Sequence, residues 1–218
     1  MPKRFDLIVF DWDGTLADST QMIVECIRQA SAEAGLSVPE PAAASNIIGL
    51  GLREAIAVLF GSLSDSQYEL LTARYRHHYF ARDQQTLLFE GAAQAIGELE
   101  QQGFMLAVAT GKGRNGLNRS LADSGIAHHI HASRCADECL SKPHPQMLME
   151  IMDELGVEAE RTLMVGDTSY DLQMARNAKV ASLAVSYGAH ALEDLLQHEP
   201  LAHFDQFTKL NQWLIMNA

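Results

Sequence analysis

Residues 5–15 read Phe-Asp-Leu-Ile-Val-Phe-Asp-Trp-Asp-Gly-Thr, and this stretch decides how the rest of the sequence is interpreted. The run 5–10 is short, apolar and rich in β-favourable residues, so it predicts a buried strand of a parallel sheet. Asp11 and Asp13 then stand at the carboxyl end of that strand. Because their charges repel one another unless a proton or a cation intervenes, the pair predicts a site for a hard divalent cation.

Beyond residue 90 the sequence alternates between helical and strand patterns. Apolar residues at helical spacing predict helices over 92–102, 118–124, 145–155 and 169–177, several of them followed by a glycine. Short β-favourable runs predict strands at 104–109, near 130, at 162–165 and at 181–185. This alternation predicts an α/β fold with a Rossmann-like parallel sheet and helices on both sides of it.

Residues 19–83 interrupt the alternation, because helical patterns at 21–34, 52–59 and 65–82 occur there without convincing strands. The alanine-rich segment 41–45 is interpreted as a connection. Since one strand precedes this stretch and the next follows it, we expect a helical cap over the carboxyl ends of the strands, where open α/β sheets bind ligands. The predicted domains are a Rossmann-like catalytic core of residues 1–17 and 84–218 and an inserted helical cap of residues 18–83.

Composition limits the class of protein. The 218 residues are 47% hydrophobic and 20% charged, as expected of a globular chain that buries a core. With 16 basic against 28 acidic residues, the net charge of -12 argues against a nucleic-acid partner. No apolar run is long enough to span a membrane and no leader pattern is visible, so we expect a cytoplasmic protein without a membrane partner. The sequence does not indicate an oligomeric state.

The chain has three cysteines, and an odd number does not suggest a disulfide framework. Cys135, Cys139 and His144 lie close together in sequence, but a zinc site would need a fourth ligand at metal-binding spacing. Reduced thiols are therefore the preferred interpretation.

Four short motifs fall at or just beyond the ends of predicted strands. In chain order they are Asp11-Trp12-Asp13-Gly14-Thr15, Thr110-Gly111-Lys112, Ser141-Lys142-Pro143 and Gly166-Asp167-Thr168-Ser169-Tyr170-Asp171. Each has an ordinary explanation when it is taken alone, as a turn, a helix cap, a solvated loop lysine or an acidic residue at a helix N-terminus. Their joint placement at one edge of the sheet favours a catalytic site instead.

These four motifs, in this order, resemble those of the haloacid dehalogenase superfamily, and the resemblance extends over the whole chain. A helical insert directly after the first motif is similar to members with a small helical cap. Residues 109–112 and 141–145 look most like those of phosphoglycolate phosphatase-type members. The resemblance implies a Mg²⁺-dependent phosphatase that forms an aspartyl-phosphate and hydrolyses a small-molecule phosphate monoester, with 2-phosphoglycolate as one candidate.

The resemblance also assigns the chemistry to two aspartates. Asp11 is expected to attack phosphorus as the nucleophile, and Asp13 to protonate the leaving oxygen and then deprotonate the attacking water. Asp11, Asp13 and Asp167 are the expected ligands of Mg²⁺. Asp171, about one helical turn after Asp167, is expected to orient water at the metal or to hold Lys142 in place.

Positive charge and hydrogen-bond donors are needed around the phosphoryl group, because a carboxylate that attacks a phosphate dianion meets like-charge repulsion. The Thr110 hydroxyl, the Gly111 amide and Lys142 are the expected phosphate-binding groups. Lys112 and, in the cap, Arg53 are expected as substrate contacts, each weighed against an ordinary surface side chain.

Two other functions fit the same motifs. A phosphosugar mutase of similar cap type uses the same two aspartates but returns the phosphoryl group to a sugar. A catalytically silent regulatory or interaction protein is the alternative from another class, although every expected catalytic group is present. Asp13 argues against halide displacement, which has no alkoxide leaving group to protonate.

Overall fold

The structure is a computed structural model, and it describes residues 3–82 and 87–218. Its strands are β1 (Leu7–Phe10), β2 (Met105–Thr110), β3 (Ala132–Cys135), β4 (Thr162–Gly166), β5 (Ala181–Val185) and β6 (His203–Phe204). Among the described residues these six strands form one sheet in the order β3-β2-β1-β4-β5-β6, with every neighbouring pair parallel. The predicted Rossmann-like parallel sheet is confirmed.

Helices fill the connections between the strands. Between β1 and β2 lie α1 (Thr20–Glu33), α2 (Pro41–Asn46), α3 (Leu52–Phe60), α4 (Asp65–Arg82) and α5 (Ala92–Gln101). After β2 come α6 (Arg114–Ser124), α7 (Gln146–Leu155), α8 (Ser169–Asn177), α9 (Leu192–Leu196) and α10 (Phe207–Asn217). We call α1 to α4 the inserted helices. The predicted domain boundary at 83/84 lies outside the described residues, and in the part of the chain that is described no helix is long and apolar enough to cross a membrane.

The central strand is buried on both of its faces. Ile8 and Phe10 belong to an apolar cluster shared with α5, α6 and α10. Leu7 and Val9 point the other way, into a cluster shared with α7 and α8. A strand covered by helices on both sides needs apolar residues at every position, which is why a continuous apolar run marked it in the sequence.

The inserted helices have an apolar interior of their own. Ile27 and Ala30 of α1, Ala44 of α2, Ile56 of α3 and Leu71 of α4 pack together and are at most 2% exposed. These side chains recur at helical spacing along each helix, so one face of each helix is buried against the others. The inserted helices therefore carry a small core that is separate from the two cores of the sheet.

The segment 41–45 forms a helix, and its interpretation as a connection was wrong. Pro41 occupies the first turn of α2. Proline suits that position because its backbone angle is already helical and because it has no amide hydrogen that would be left unpaired there. With six residues, α2 is too short to show a helical repeat in the sequence.

Two further boundaries differ from the predictions. The strand expected near residue 130 is β3, which starts at Ala132 because residues 127–129 form a 3-10 turn before it. The helix expected over 118–124 starts earlier, at Arg114, whose backbone amide donates to Asp137 Oδ1 at 2.9 Å. The sequence analysis did not predict β6, α9 or α10.

The register of the sheet brings the ends of three strands to one level. Phe10 is paired with Val108 of β2 and with Val165 of β4. The Asp11 amide, one residue further on, donates to the Val165 carbonyl at 2.9 Å. The chain runs from β1 to β2 on one side and later reaches β4 on the other, so β1 lies at the point where the strand order reverses. Residues that follow these strands converge there.

Candidate active site

Four buried charged side chains form the floor of the candidate site: Asp11, Lys142, Asp167 and Asp171, each at most 1% exposed. The Lys142 ammonium donates to Asp11 Oδ1 at 2.7 Å and to Asp171 Oδ1 at 2.6 Å. Burial lowers the pKa of Lys142, but the two adjacent carboxylates outweigh it and raise this pKa above its ordinary value. The ammonium therefore keeps its charge although the side chain is buried.

Asp167 is held from two directions. The Thr15 hydroxyl donates to its Oδ1 at 2.8 Å, and the Ala189 amide donates to its Oδ2 at 2.8 Å. A Cβ at Gly14 or at Gly188 would lie 2.2 Å from Oδ2, so only glycine leaves room for this carboxylate. Burial raises the pKa of Asp167 to about 7.

The carboxylates of the floor are suited to a divalent cation. One oxygen each of Asp11, Asp167 and Asp171 lies within 4.8 Å of the other two. Within the described part of the chain, Asp11 Oδ2 is buried and accepts no hydrogen bond. Burial raises the pKa of Asp11 well above its ordinary value, although Lys142 opposes this shift. A hard cation that takes oxygen ligands would satisfy the unpaired oxygen and offset the negative charge that Lys142 leaves uncompensated.

The side chain of Asp13 lies beside this group of carboxylates and is not part of it. The Ser19 hydroxyl donates to Asp13 Oδ1 at 2.7 Å, and Lys112 Nζ donates to the same oxygen at 3.0 Å. Asp13 also lines the cavity above the floor. The structure thus brings Asp11, Asp167 and Asp171 together, and it directs the Asp13 carboxylate towards Ser19 and Lys112.

The loop after β2 carries the other predicted phosphate-binding groups. Thr110 is fully buried, and its hydroxyl accepts a hydrogen bond from the Lys112 amide at 3.1 Å. Gly111 lies directly under the loop before α3. A Cβ at this position would be 2.5 Å from the Leu50 carbonyl oxygen and 2.7 Å from that of Gly49. The inserted helices therefore meet the sheet edge through a contact between two backbones.

Lys112 connects Asp13 to the inserted helices. Besides Asp13, its Nζ hydrogen-bonds to the hydroxyl of Tyr79 on α4. The ammonium also lies 4.6 Å from the centroid of the Tyr79 ring. A direct contact between Lys112 and substrate, expected from the sequence, would compete with these interactions.

A second contact between the inserted helices and the rest of the fold involves residues that the sequence analysis missed. His190 accepts a hydrogen bond from the Ser169 amide at Nδ1, 3.1 Å away, so its Nε2 carries the hydrogen and donates to the Asn46 carbonyl at 3.2 Å. At the same boundary between the inserted helices and the rest of the fold, the Gly51 amide donates to Ser141 Oγ at 2.9 Å. His190 and Asn46 are 144 positions apart and carry no motif, so no local signal could have revealed them.

A cavity of about 590 Å³ lies between the sheet edge and the inserted helices. Asp11, Asp13, Thr110 and Lys112 line it from the sheet side. Its opposite side includes four aromatic side chains of α4, which we call the aromatic wall: Tyr68, Tyr75, Tyr79 and Phe80. Arg53 of α3 also lines this cavity, with its guanidinium 5.3 Å from the centroid of the Tyr68 ring.

Comparison with known proteins identifies a matching family and several relatives of this chain. The model of the haloacid dehalogenase-like hydrolase family matches residues 8–185. A protein of Dickeya dadantii (strain 3937) named "Probable phosphatase IndB" is 32% identical over 211 residues, which cover 94% of this chain and 91% of that protein. A phosphoglycolate phosphatase of Rhodospirillum rubrum is 32% identical over 225 residues, which cover 98% of this chain and 91% of that protein.

Solved structures agree on the fold. The crystal structure of a predicted phosphoglycolate phosphatase from Haemophilus somnus 129pt superposes with a TM-score of 0.86 and covers 97% of this chain and 99% of that chain. Sequence identity in this pair is 23%, so the likeness concerns the architecture.

Proposed function

The chain belongs to the haloacid dehalogenase-like hydrolase family and is a hydrolase of phosphate esters, and from this premise we propose that it is a Mg²⁺-dependent phosphomonoesterase with Asp11 as its nucleophile. The observation that supports this best is the buried Lys142, which touches both Asp11 and Asp171 beside Asp167. A buried ammonium fixed next to a carboxylate with one unpaired oxygen is what an attack on a phosphate dianion requires.

In the first step, a carboxylate oxygen of Asp11 bonds to phosphorus while the bond from phosphorus to the ester oxygen breaks. The electron pair of the broken bond stays on the ester oxygen, and Asp13 supplies the proton that converts it to an alcohol. The position of Asp13 in the lining of the cavity supports this role, since the leaving alcohol must depart into the cavity. The product of this step is an aspartyl-phosphate.

In the second step, water attacks the phosphorus of the aspartyl-phosphate. Asp13, now ionised, accepts a proton from that water, and the Asp11 carboxylate leaves as inorganic phosphate forms. Both carboxyl groups thereby return to their starting protonation states. The same side chain serves as acid and then as base, so one well-placed aspartate is sufficient for both half-reactions.

The surroundings of the phosphoryl group would stabilise the charge that develops on its oxygens. We assign this role to the Lys142 ammonium, the Thr110 hydroxyl and the Gly111 amide. Mg²⁺, when bound, would neutralise charge on the phosphoryl oxygens.

We propose that Asp11 and Asp167 hold the ion through their carboxylates. Asp13 has its carboxylate engaged by Lys112 and would contribute its backbone carbonyl. Asp171 has both oxygens engaged by Lys142 and Thr168, so it supports Lys142.

The decisive experiment compares wild type and Asp11→Asn with para-nitrophenyl phosphate and Mg²⁺. We expect the substitution to lower kcat by roughly 10⁴-fold or more, because an amide cannot form the covalent intermediate. Removal of Mg²⁺ by a chelator should abolish the wild-type rate, and added Mg²⁺ should restore it. Asp18→Asn, at an exposed aspartate of the same segment, is the matched control and should keep the wild-type rate. A wild-type rate in Asp11→Asn would exclude this nucleophile.

The substrate class follows from the relatives and remains part of the proposal. The Rhodospirillum rubrum relative is named a phosphoglycolate phosphatase, so 2-phosphoglycolate belongs in the first panel of metabolite phosphates. Incubation with a hexose 1-phosphate separates hydrolysis from mutase activity, because a mutase yields an isomer and a phosphatase yields inorganic phosphate. A folded wild-type protein that turns over no phosphate ester would instead indicate the silent regulatory alternative.

A further inference from the structure

The cavity above the floor is larger than a small substrate needs. Its volume of about 590 Å³ lies within the range of roughly 300–1,000 Å³ that is usual for pockets holding drug-sized ligands. A phosphoryl group with a two-carbon acid would leave most of this space unfilled. The volume therefore indicates a leaving group of considerable size.

The far side of the cavity is aromatic. Tyr68, Tyr75 and Tyr79 are seven and four positions apart, so they occupy one face of α4. The ring centroids of Tyr75 and Tyr79 are 5.8 Å apart, and those of Tyr79 and Phe80 are 6.1 Å apart. A cation lies over three of these rings, Arg53 over Tyr68, Lys112 over Tyr79 and Arg119 over Phe80. Together the rings form an aromatic surface against which another planar ring can pack.

Aliphatic side chains continue this surface. Ile23 and Ile27 reach the cavity from α1, and Ile47 and Ile48 reach it from the loop before α3. All four are buried, from 1% exposed at Ile27 to 7% exposed at Ile23. They make this part of the lining apolar, which suits an uncharged group better than a carboxylate, because burying a charge without a partner is costly.

The charges on this side of the cavity are balanced. Arg53 and Arg76 line it together with Glu54 and Asp137. Lys112, which also lines it, already interacts with Asp13. A second anionic group on the substrate would find no surplus of positive charge to receive it. An uncharged leaving group suits this lining better than a carboxylate.

Given the proposed function, we propose that the preferred substrates are phosphate monoesters whose alcohol carries an uncharged planar ring, of the size of a nucleoside 5′-monophosphate. The phosphoryl group would lie at Asp11 and the ring against the aromatic wall. Stacking of one base on an aromatic side chain is expected to contribute roughly 5- to 150-fold. This gain should be visible in kcat/KM, because it acts on binding of the leaving group in both ground and transition states.

The first test compares substrates on the wild-type protein with Mg²⁺. The panel consists of nucleoside 5′-monophosphates, ribose 5-phosphate, which is the same ester without its base, and 2-phosphoglycolate. We expect at least one nucleotide to exceed both other esters in kcat/KM by roughly tenfold or more. If no nucleotide does so, the proposal is overturned.

The second test removes one ring of the wall. Tyr75→Leu should lower kcat/KM for the preferred nucleotide by at least about fivefold more than for ribose 5-phosphate. Tyr75→Phe keeps the ring and should restore the preference. His77→Leu removes an exposed ring of the same helix outside the cavity and should leave both values near wild type. Equal losses on both substrates in Tyr75→Leu would overturn stacking.

Failure of this inference can be told apart from failure of the proposed function. If only the inference fails, the wild type still hydrolyses para-nitrophenyl phosphate in a manner that depends on Mg²⁺ and on Asp11. If the proposed function fails, no phosphate ester is hydrolysed in an Asp11-dependent manner, and the inference falls with it.

Discussion

The floor of the cavity and its aromatic wall are built from different interactions. In the floor, Asp11, Lys142 and Asp171 are at most 1% exposed and are joined by hydrogen bonds of 2.6 and 2.7 Å. In the wall, Tyr75 is half-buried and Phe80 is exposed, and both meet Tyr79 through ring contacts. Directional charged contacts permit one arrangement, whereas ring packing permits many. The floor is therefore suited to fixed chemistry and the wall to a choice of substrate.

The largest expected effect comes from removing the central charge of the floor with Lys142→Met. Asp11 and Asp171 would lose their buried counter-charge, so the free energy of unfolding should fall by roughly 3–5 kcal/mol. We also expect kcat to fall by about 10²-fold or more, since a positioned donor to the phosphoryl group is lost. Urea unfolding and steady-state kinetics measure the two effects.

Lys209→Met is the matched control for this substitution. Lys209 pairs with Asp205 at 2.8 Å on the surface, and the two side chains are 51% and 64% exposed. Because solvent screens such a pair, its loss should leave the urea midpoint close to that of wild type. A Lys142→Met protein as stable as this control would contradict the difference drawn between floor and surface.

The second prediction concerns pH. The pKa of Asp167 is raised by burial from 3.8 to about 7, so between these values the folded state binds more protons than the unfolded state. Stability must then fall as pH rises through this window, by about 4 kcal/mol over all of it and by about 3 kcal/mol over the part above pH 5. Unfolding with a chelator present, from about pH 5 to about pH 8, should show this fall relative to Asp167→Asn. Added Mg²⁺ should reverse it, and a wild-type profile parallel to that of Asp167→Asn would contradict the assignment.

The third prediction concerns the backbone contact between Gly111 and the loop before α3. Gly111→Ala would put a Cβ 2.5 Å from the Leu50 carbonyl oxygen, which belongs to backbone and cannot rotate away. We expect the inserted helices to seat less closely, with kcat/KM lowered roughly 10- to 100-fold and stability lowered by about 1–3 kcal/mol. Gly97→Ala, in α5, would meet its nearest atom at 3.4 Å and serves as the control. Full activity in Gly111→Ala would mean that this contact is not needed for turnover.

The smallest expected effect belongs to the cap arginine that was expected from the sequence to bind substrate. Arg53 is exposed and stacks over Tyr68, so Arg53→Ala should change kcat/KM for an uncharged leaving group by less than about fivefold. A loss above about tenfold that is confined to substrates with a second anion would show instead that this side of the cavity selects for charge.

Much of the floor could be predicted because its residues follow strands directly. A buried parallel strand is a continuous apolar run, and the carboxyl ends of such strands meet at one edge. Asp11 and Asp167 of the floor were therefore expected to converge with Thr110, the last residue of β2. Lys142 follows no strand directly, and its motif supplied the expectation. The sheet and most of its helices were predicted for the same reason, since each element carries its own local pattern.

The contacts between the inserted helices and the rest of the fold could not be predicted, because they depend on how separate elements pack. The hydrogen bond from Lys112 to Tyr79 joins a strand-end loop to the last turn of α4, and neither residue carries a signal for the other. The spacing of Tyr68, Tyr75 and Tyr79 on one helical face was present in the sequence. Only the position of α4 over the sheet edge indicates which surface those rings cover.

The direct backbone contact between Gly111 and the carbonyl groups of Gly49 and Leu50 has a consequence for how this protein can evolve. Because Gly111 has no side chain in this contact, a substitution at Gly111 would disrupt the contact rather than adjust it. Ring positions on α4 that do not contact Lys112, such as Tyr68 and Tyr75, are less constrained. A duplicated copy of the gene could therefore acquire a new metabolite through a few codon changes in α4 and inherit its reacting groups unaltered.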